Sequence, residues 1–286
     1  MKKILVPVDF SESVKPAISF AANMARKTGA EIYLLHVIDI AGASGELSET
    51  GEWTFTDDAT SSDVPLMMFM LKKIKEKMSN LVQSDELEGI KITDTIETGS
   101  PAKKINDAAV KYGVDLIIMG THGASGWNEV FVGSNAEKVV RSSRVPVLAI
   151  KKDVNINPKE IVFASDFKDE ANDIFPFAKK IADIFGARLH LLKVNTLDTF
   201  ETSREINNNI QKFKSKHNVP NLPLDIYNEM DQETGIIYYT KDNKIDMIIV
   251  GTHGRTGISR MFNGSISEEL VNHSFCPVLT IHFNNK

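Results

Sequence analysis

Short runs rich in Ile, Leu and Val alternate along the chain with longer amphipathic stretches, the pattern of strand and helix units built around a parallel sheet. The strand runs are almost continuously apolar, as expected of strands covered on both faces. They predict strands at 2–8, 31–37, 91–97, 114–119 and 146–150, with helices between them at 13–28, 64–84, 101–112 and 134–143. A second series of strands is predicted at 160–165, 188–194, 223–229, 245–250 and 277–282. Gly29 and Gly186 fall where the first helix of each series should stop, a place that favours the left-handed turn glycine adopts most readily. Pro176 lies inside the apolar pattern of the second such helix and predicts a kink or a late helix start.

The two series are copies. KILVPVDF (3–10) matches EIVFASDF (160–167) and AEIYLLHV (30–37) matches ARLHLLKV (187–194), both at an offset of 157. VDLIIMGTHG (114–123) matches IDMIIVGTHG (245–254) and VPVLAI (145–150) matches CPVLTI (276–281), both at an offset of 131. The second copy is therefore shorter by 26 residues, which places an insertion in the first. Residues 39–63, rich in Gly, Ser, Thr and acids, are the candidate, and their composition is that of a long exposed loop, with Trp53 and Phe55 as possible tethers. Two domains follow, 1–152 and 158–286, joined by a short polar linker. The last apolar strand of each copy, 145–150 and 276–281, is an exposed edge unless paired, so the two are expected to lie antiparallel in an intrachain pseudo-dimer.

Composition narrows the function classes. The 286 residues are 42% hydrophobic and 25% charged with a net charge of -5, the balance of a soluble globular protein without general attraction for nucleic acid or an anionic membrane. The single cysteine, Cys276, excludes an intrachain disulfide, aligns with Val145 and reads as a small buried hydrophobe. No apolar run is long enough to span a bilayer and the amino terminus lacks a secretory pattern, so a cytoplasmic location is expected. Met67, Met68, Phe69, Met70 and Leu71 are expected in the core, and the lysines at 72, 73, 75 and 77 on a solvated helix face.

Candidate chemistry lies beyond the carboxyl ends of the strands, where open parallel sheets bind ligands. Gly120-Thr121-His122-Gly123 follows the fourth strand and, nine residues on, Gly133-Ser134 opens a helix; Gly251-Thr252-His253-Gly254 and Gly264-Ser265 repeat the spacing. Glycines let backbone amides approach an anion, and a helix amino terminus adds unpaired amides and a positive dipole end, the recipe for a phosphate cradle. Such glycines can also simply make turns, and the serines can cap helices or donate to phosphate. Asp9 and Asp166 close the first strand of each copy and can accept from a ribose hydroxyl or an adenine amine, reach a phosphate-bound metal, or cap the next helix. His122 and His253 have no readable catalytic partner and are expected to order their loops, and neither GxxxxGK[ST] nor GxGxxG occurs.

V-P-V-D-F in the first strand, G-x2-G-x9-G-S after the fourth and the closing S-N-A-E-K-V-V-R-x-S-x-x-P-V-L together resemble the universal stress protein family, present here as a tandem pair. The resemblance implies two α/β Rossmann-like domains, each a five-stranded parallel sheet of order 3-2-1-4-5 flanked by helices. It also implies adenine nucleotide binding (ATP, ADP or AMP, with or without Mg2+) and dimer formation through the last strand. Carried over by position, it assigns Asp9, Val37, Gly120, Gly123, Gly133 and Ser134 to one site. Asp166, Val194, Gly251, Gly254, Arg255, Gly264 and Ser265 form the other. The copies depart from the family pattern in opposite ways: Arg255 is matched by Ala124, and Gly99-Ser100 is matched by Met230-Asp231 amid Glu229 and Glu233, which points to the first site as the intact one. A nucleotide-binding regulatory module is the leading expectation. A metal-dependent nucleotide hydrolase or transferase and a nucleotide-free interaction protein are the alternatives, and a homodimer is open.

Overall fold

The computed structural model describes residues 1–39, 45–47, 53–55, 63–121, 133–151, 154–168, 171–252 and 264–282. In the first half the elements run β1 (Lys3–Pro7), α1 (Lys15–Thr28), β2 (Glu31–Ile38), β3 (Gly45–Leu47), β4 (Trp53–Phe55), α2 (Asp63–Val82), β5 (Ile92–Thr98), α3 (Pro101–Tyr112), β6 (Leu116–Gly120), α4 (Ser134–Ser142) and β7 (Val147–Ile150). The second half runs β8 (Glu160–Ala164), α5 (Ala171–Phe185), β9 (Arg188–Asn195), α6 (Ser203–Lys216), β10 (Leu224–Asn228), α7 (Gln232–Asp242), β11 (Met247–Thr252), α8 (Gly264–His273) and β12 (Val278–His282).

One sheet of ten strands carries both halves, in the order β10-β9-β8-β11-β12-β7-β6-β1-β2-β5. Each half is thus a five-stranded parallel unit of order 3-2-1-4-5. At the seam β12 and β7 pair antiparallel, with Leu279 opposite Leu148 and Thr280 opposite Val147, as the apolar last strands require. Each last strand is the other's partner, so this edge is closed to a second chain.

Strand residues alternate between two continuous apolar layers. Ile4, Val6, Ile161 and Phe163 face one layer, with α1, α2, α5 and α6; Leu5, Val162 and Ile248 face the other, with α3, α4, α7 and α8. Both layers cross the seam: α1 meets α5 through Phe20 and Phe185, with ring centroids 5.3 Å apart, and Arg141 of α4 reaches Glu268 of α8. The seam also has reciprocal caps at equivalent positions. Lys151, past β7, donates from Nζ to the carbonyls of Asn272 and Ser274 at the end of α8, both at 2.6 Å. His282, in β12, hydrogen bonds through Nε2 to the Val140 carbonyl of α4 at 2.8 Å. Cations and donors at helix carboxyl ends satisfy carbonyls that have no partner within the helix.

Gly29 takes φ 70 as the cap of α1 and Gly186 takes φ 60 after α5, the left-handed turns anticipated for them. Of the two alternatives at Pro176 the late start does not occur: α5 begins at Ala171 and continues through the proline to Phe185, its face held by buried Ile174, Phe175 and Ala178. Two expectations are corrected. The segment 39–63 is not wholly loop: β3 and β4 pair antiparallel within it, a short ladder that composition weighted towards Gly, Ser and acids concealed. Met68, Phe69 and Met70 are not core but exposed by 61, 58 and 46%, because α2 settles onto the sheet only from Met78 onward. Cys276 is partly buried, and burial pushes its thiol up to about 12, so it is inert as expected of a small apolar residue. Among the described residues no helix is long and apolar enough to cross a membrane.

Histidine burial sets an acid response. His36, His217 and His282 all sit below the ordinary 6.5, in each case chiefly because burial disfavours the charged ring. The unfolded chain therefore binds more protons than the folded one in the window below 6.5, and stability is lost as pH falls through it. Glu268 and Glu269, raised first by burial, act in the opposite sense above 4.5. The prediction is accordingly a difference: His282→Gln should lose less melting temperature than the parent between pH 7.5 and 5.5. Equal losses in the two proteins would show that His282 does not titrate across the seam.

Candidate functional site

The chain leaves β1 in one direction, to β2, and returns on the other side of β1 with β6, so a crevice opens between their carboxyl ends. It is a cleft of about 350 Å³, walled by Pro7, Val8 and Asp9 after β1, Leu35, Val37 and Asp39 of the β2 end, Pro101 and Ile105 of α3, Met119 to Thr121 of β6, and Gly133 to Ala136 of α4. Apolar side chains floor it, two carboxylates stand at its rim, and the amino termini of two helices point towards it, a mixture suited to a ligand with a flat apolar part and an anionic part.

The turn after β1 is built to present Asp9. Phe10 takes φ 59, and Phe167 takes φ 58 at the equivalent point of the second half. A bulky residue in the left-handed region is strained by about 1–3 kcal/mol and persists only where packing over-determines it. Here Phe10 packs at a tilt of 36° against His36 with centroids 4.7 Å apart, and His36 hydrogen bonds through Nδ1 to the Val8 carbonyl at 2.7 Å. A carbonyl can only accept, so Nδ1 is the donor, and burial holds the ring's pKa below its ordinary value. Asp9 in turn accepts at Oδ1 from the Ser11 amide at 2.9 Å and the Ser11 hydroxyl at 2.6 Å. Its carboxylate thus orders the turn and lines the cleft at once. Ser11, not Asp9, is the N-cap residue of the following short helical turn.

The glycines divide into different roles. Gly120 is demanded by the scaffold: a Cβ there would lie 2.8 Å from the Ser13 carbonyl oxygen and 3.5 Å from its carbon. Backbone atoms cannot step aside, so Gly120→Ala should cost about 1–3 kcal/mol in chemical denaturation, and a loss under about 0.5 kcal/mol would show that the turn at Ser13 yields freely. Gly133 is the N-cap of α4 with φ -58 and ψ 136, a conformation open to any residue, so the backbone itself does not require glycine. The N-cap position falls to Gly133 and not to Ser134, which is the exposed first residue of α4 on the cleft wall.

Of the first group predicted from sequence, Asp9, Val37, Gly120, Gly133 and Ser134 meet in this cleft. Gly123 lies outside the described residues, as do His122, Ala124, His253, Gly254 and Arg255. In the second half Asp166 and Val194 line a much smaller cavity of about 10 Å³ with Ala164, Ser165, Lys193, Gln232 and Ile236. Gly251 is buried in β11, and Gly264 and Ser265 begin α8. Beside this cavity, Lys193 is only 2% exposed, its Nζ 2.7 Å from Glu201, which also meets Lys168 at 3.1 Å. Burial raises the Glu201 carboxyl, but bonds from Lys193 and Lys168 outweigh it and hold the group below its ordinary value. Sequence reasoning passed over His36, both left-handed phenylalanines and this buried pair. The repeated Asp-Phe dipeptide and a lysine in an apolar strand were the signals available.

Known proteins share both the motif and the architecture. The sequence model of the universal stress protein family matches residues 1–151 and 226–282. Universal stress protein Slr1230 of Synechocystis is 24% identical over 98% of this chain and 99% of its own length. Universal stress protein MJ0531 of Methanocaldococcus jannaschii is 32% identical over 53% of this chain and 82% of its own. The crystal structure of a universal stress protein from Archaeoglobus fulgidus superposes with a TM-score of 0.74 at 23% identity, covering 99% of this chain and 98% of that one, which shows a common fold. With the family pattern matched over more than half its length and the same architecture across both halves, the chain belongs to the universal stress protein family.

Proposed function

We propose that the protein binds an adenine nucleotide, ATP or its ADP or AMP relative, in the cleft of the first half, and acts as a stress-linked regulatory module rather than as a catalyst. The observation that carries this reading is the cleft of about 350 Å³ at the sheet's switch point, apolar within and bordered by Asp9 and by the amino terminus of α4 at Gly133. Leu35, Val37, Ile105 and Met119 suit the faces of a base. Asp9 suits a ribose hydroxyl or the adenine amine, and the first amides of α4 suit phosphate oxygens. Mg2+ accompanying a polyphosphate would supply positive charge opposite Asp9 and Asp39. The described lining residues include neither lysine nor histidine, so a hydrolase reading has less to stand on.

Mass analysis of small molecules released from the purified chain, followed by titration with ATP, ADP and AMP with and without Mg2+, tests the proposal. One of the three should be recovered or bind, with Asp9→Ala weakening it. Absence of binding at millimolar nucleotide would overturn the reading, and steady turnover with Mg2+ would move the protein to the enzyme class.

A further inference from the structure

One side chain holds both neighbours of Asp9. His36 Nδ1 donates to the carbonyl of Val8, the residue before it, and the ring packs against Phe10, the residue after it. The peptide links on either side of Asp9 set the direction in which its carboxylate leaves the backbone, so a grip on Val8 and Phe10 together fixes that direction. His36 does this from the far face of the sheet. Val37, the next residue of β2, lines the cleft, and successive strand residues point to opposite faces. Phe10 accordingly packs with the layer of α1 and α2, where Lys77 Nζ of α2 lies 5.6 Å from the centroid of its ring. Asp9 is therefore held from behind the space it borders.

The second half keeps the turn and changes the clamp. At the offset of 157, Asp166, Phe167, Lys168 and Lys193 stand for Asp9, Phe10, Ser11 and His36. The amide two residues past the aspartate returns to its Oδ1 in both copies, from Ser11 at 2.9 Å and from Lys168 at 3.1 Å. Both phenylalanines between are left-handed, at φ 59 and 58. Lys193 offers no flat ring, however, and its Nζ goes to Glu201 at 2.7 Å. Phe167 rests instead on Phe213 and Phe163, at centroid distances of 5.1 and 6.0 Å. Two unlike sets of contacts hold one strained backbone geometry, whose shared product is an aspartate aimed by its own turn.

We propose that His36 is the positioning residue of the first cleft: through Val8 and Phe10 it fixes the Asp9 carboxylate in the direction a nucleotide needs, without touching the ligand itself. The part played for the ligand rests on the nucleotide reading of the cleft; the hold on Asp9 does not. Two measurements on the full chain separate them. His36→Ala removes both grips and leaves the Val8 carbonyl, in a residue only 4% exposed, without its donor. A buried carbonyl without a partner is costly enough to turn its peptide. A crystal structure of this variant should show the Ser11 amide and Asp9 Oδ1 parted beyond about 3.5 Å, the limit of a hydrogen bond. An unchanged turn would overturn the proposal whatever the nucleotide does.

Calorimetric titration with ATP and Mg2+ is the second measurement. Affinity should fall at least about tenfold in His36→Ala, but less than about twofold when the same change is made in Asp9→Ala, because a residue that acts through Asp9 has nothing to act on once Asp9 is gone. Equal losses in the two backgrounds would make His36 a general structural residue and overturn the positioning role. Should His36→Ala not fold, His36→Phe, which keeps a ring against Phe10 and lacks the donor, takes its place with an expected loss of at least about threefold and the same cycle. A turn that opens in a chain that binds no nucleotide would uphold the hold on Asp9 and remove the nucleotide reading of the cleft, and the part played for the ligand with it.

Discussion

Gly133→Val is expected to abolish nucleotide binding while leaving the fold standing. The backbone at Gly133, φ -58 and ψ 136, lies in the broad extended region that valine also prefers, so the substitution introduces no conformational strain. Gly133 caps α4 without a side-chain bond, and exchanging glycine for valine at such a position should cost no more than about 1 kcal/mol. Binding responds differently, because Gly133 forms part of the cleft wall at the end of α4 where phosphate oxygens would meet the first helical amides. Two branched methyl groups there hold an anion away from amides whose charge-assisted bonds are worth about 1.5–3 kcal/mol each. Losing two such bonds lowers affinity by at least about a hundredfold. Calorimetry against ATP, paired with a thermal melt of the same sample, checks both halves of the expectation. Unchanged affinity in a folded variant would remove Gly133 from the phosphate site.

The reasons some of this was legible in the sequence and some was not are physical. Strands buried on both faces have little freedom in composition, so β1, β2, β6 and β8 stand out as apolar runs, and the repeat doubled the signal. The seam was legible too: LAI and LTI are edge strands with apolar side chains, and an unpaired edge of that kind is hazardous enough to demand a partner. The order of the strands within each half came from the family resemblance, because apolar runs specify burial and not neighbours. Exposure of Met68, Phe69 and Met70 was hidden because periodicity describes a helix face and not how far along the helix the sheet extends. At the site, Asp9, Gly133 and Ser134 could be placed from their motif. The left-handed turn at Phe10 could not, since no local rule assigns φ 59 to phenylalanine; its packing against His36 and the apolar layer keeps it there.

The seam should be the most costly place to remove a side chain. Leu279 is fully buried in β12 and lies opposite Leu148, itself 1% exposed, in the antiparallel register; both belong to the layer that runs through α1 and α5. Leu279→Ala removes three carbon atoms from a site with backbone on both sides in the sheet, where neighbours cannot collapse inward, so the loss should fall at about 2–5 kcal/mol. That is a large part of the 5–15 kcal/mol typical of a folded domain. The consequence should also reach beyond the second half. Leu148 of the first half loses its packing partner, and the caps from Lys151 to α8 and from His282 to α4 depend on the same alignment. Amide exchange in β7 should therefore accelerate along with that in β12, and the denaturation midpoint should fall as one transition. Protection in β7 that is unaltered while β12 opens would show that the two halves share a sheet without sharing stability.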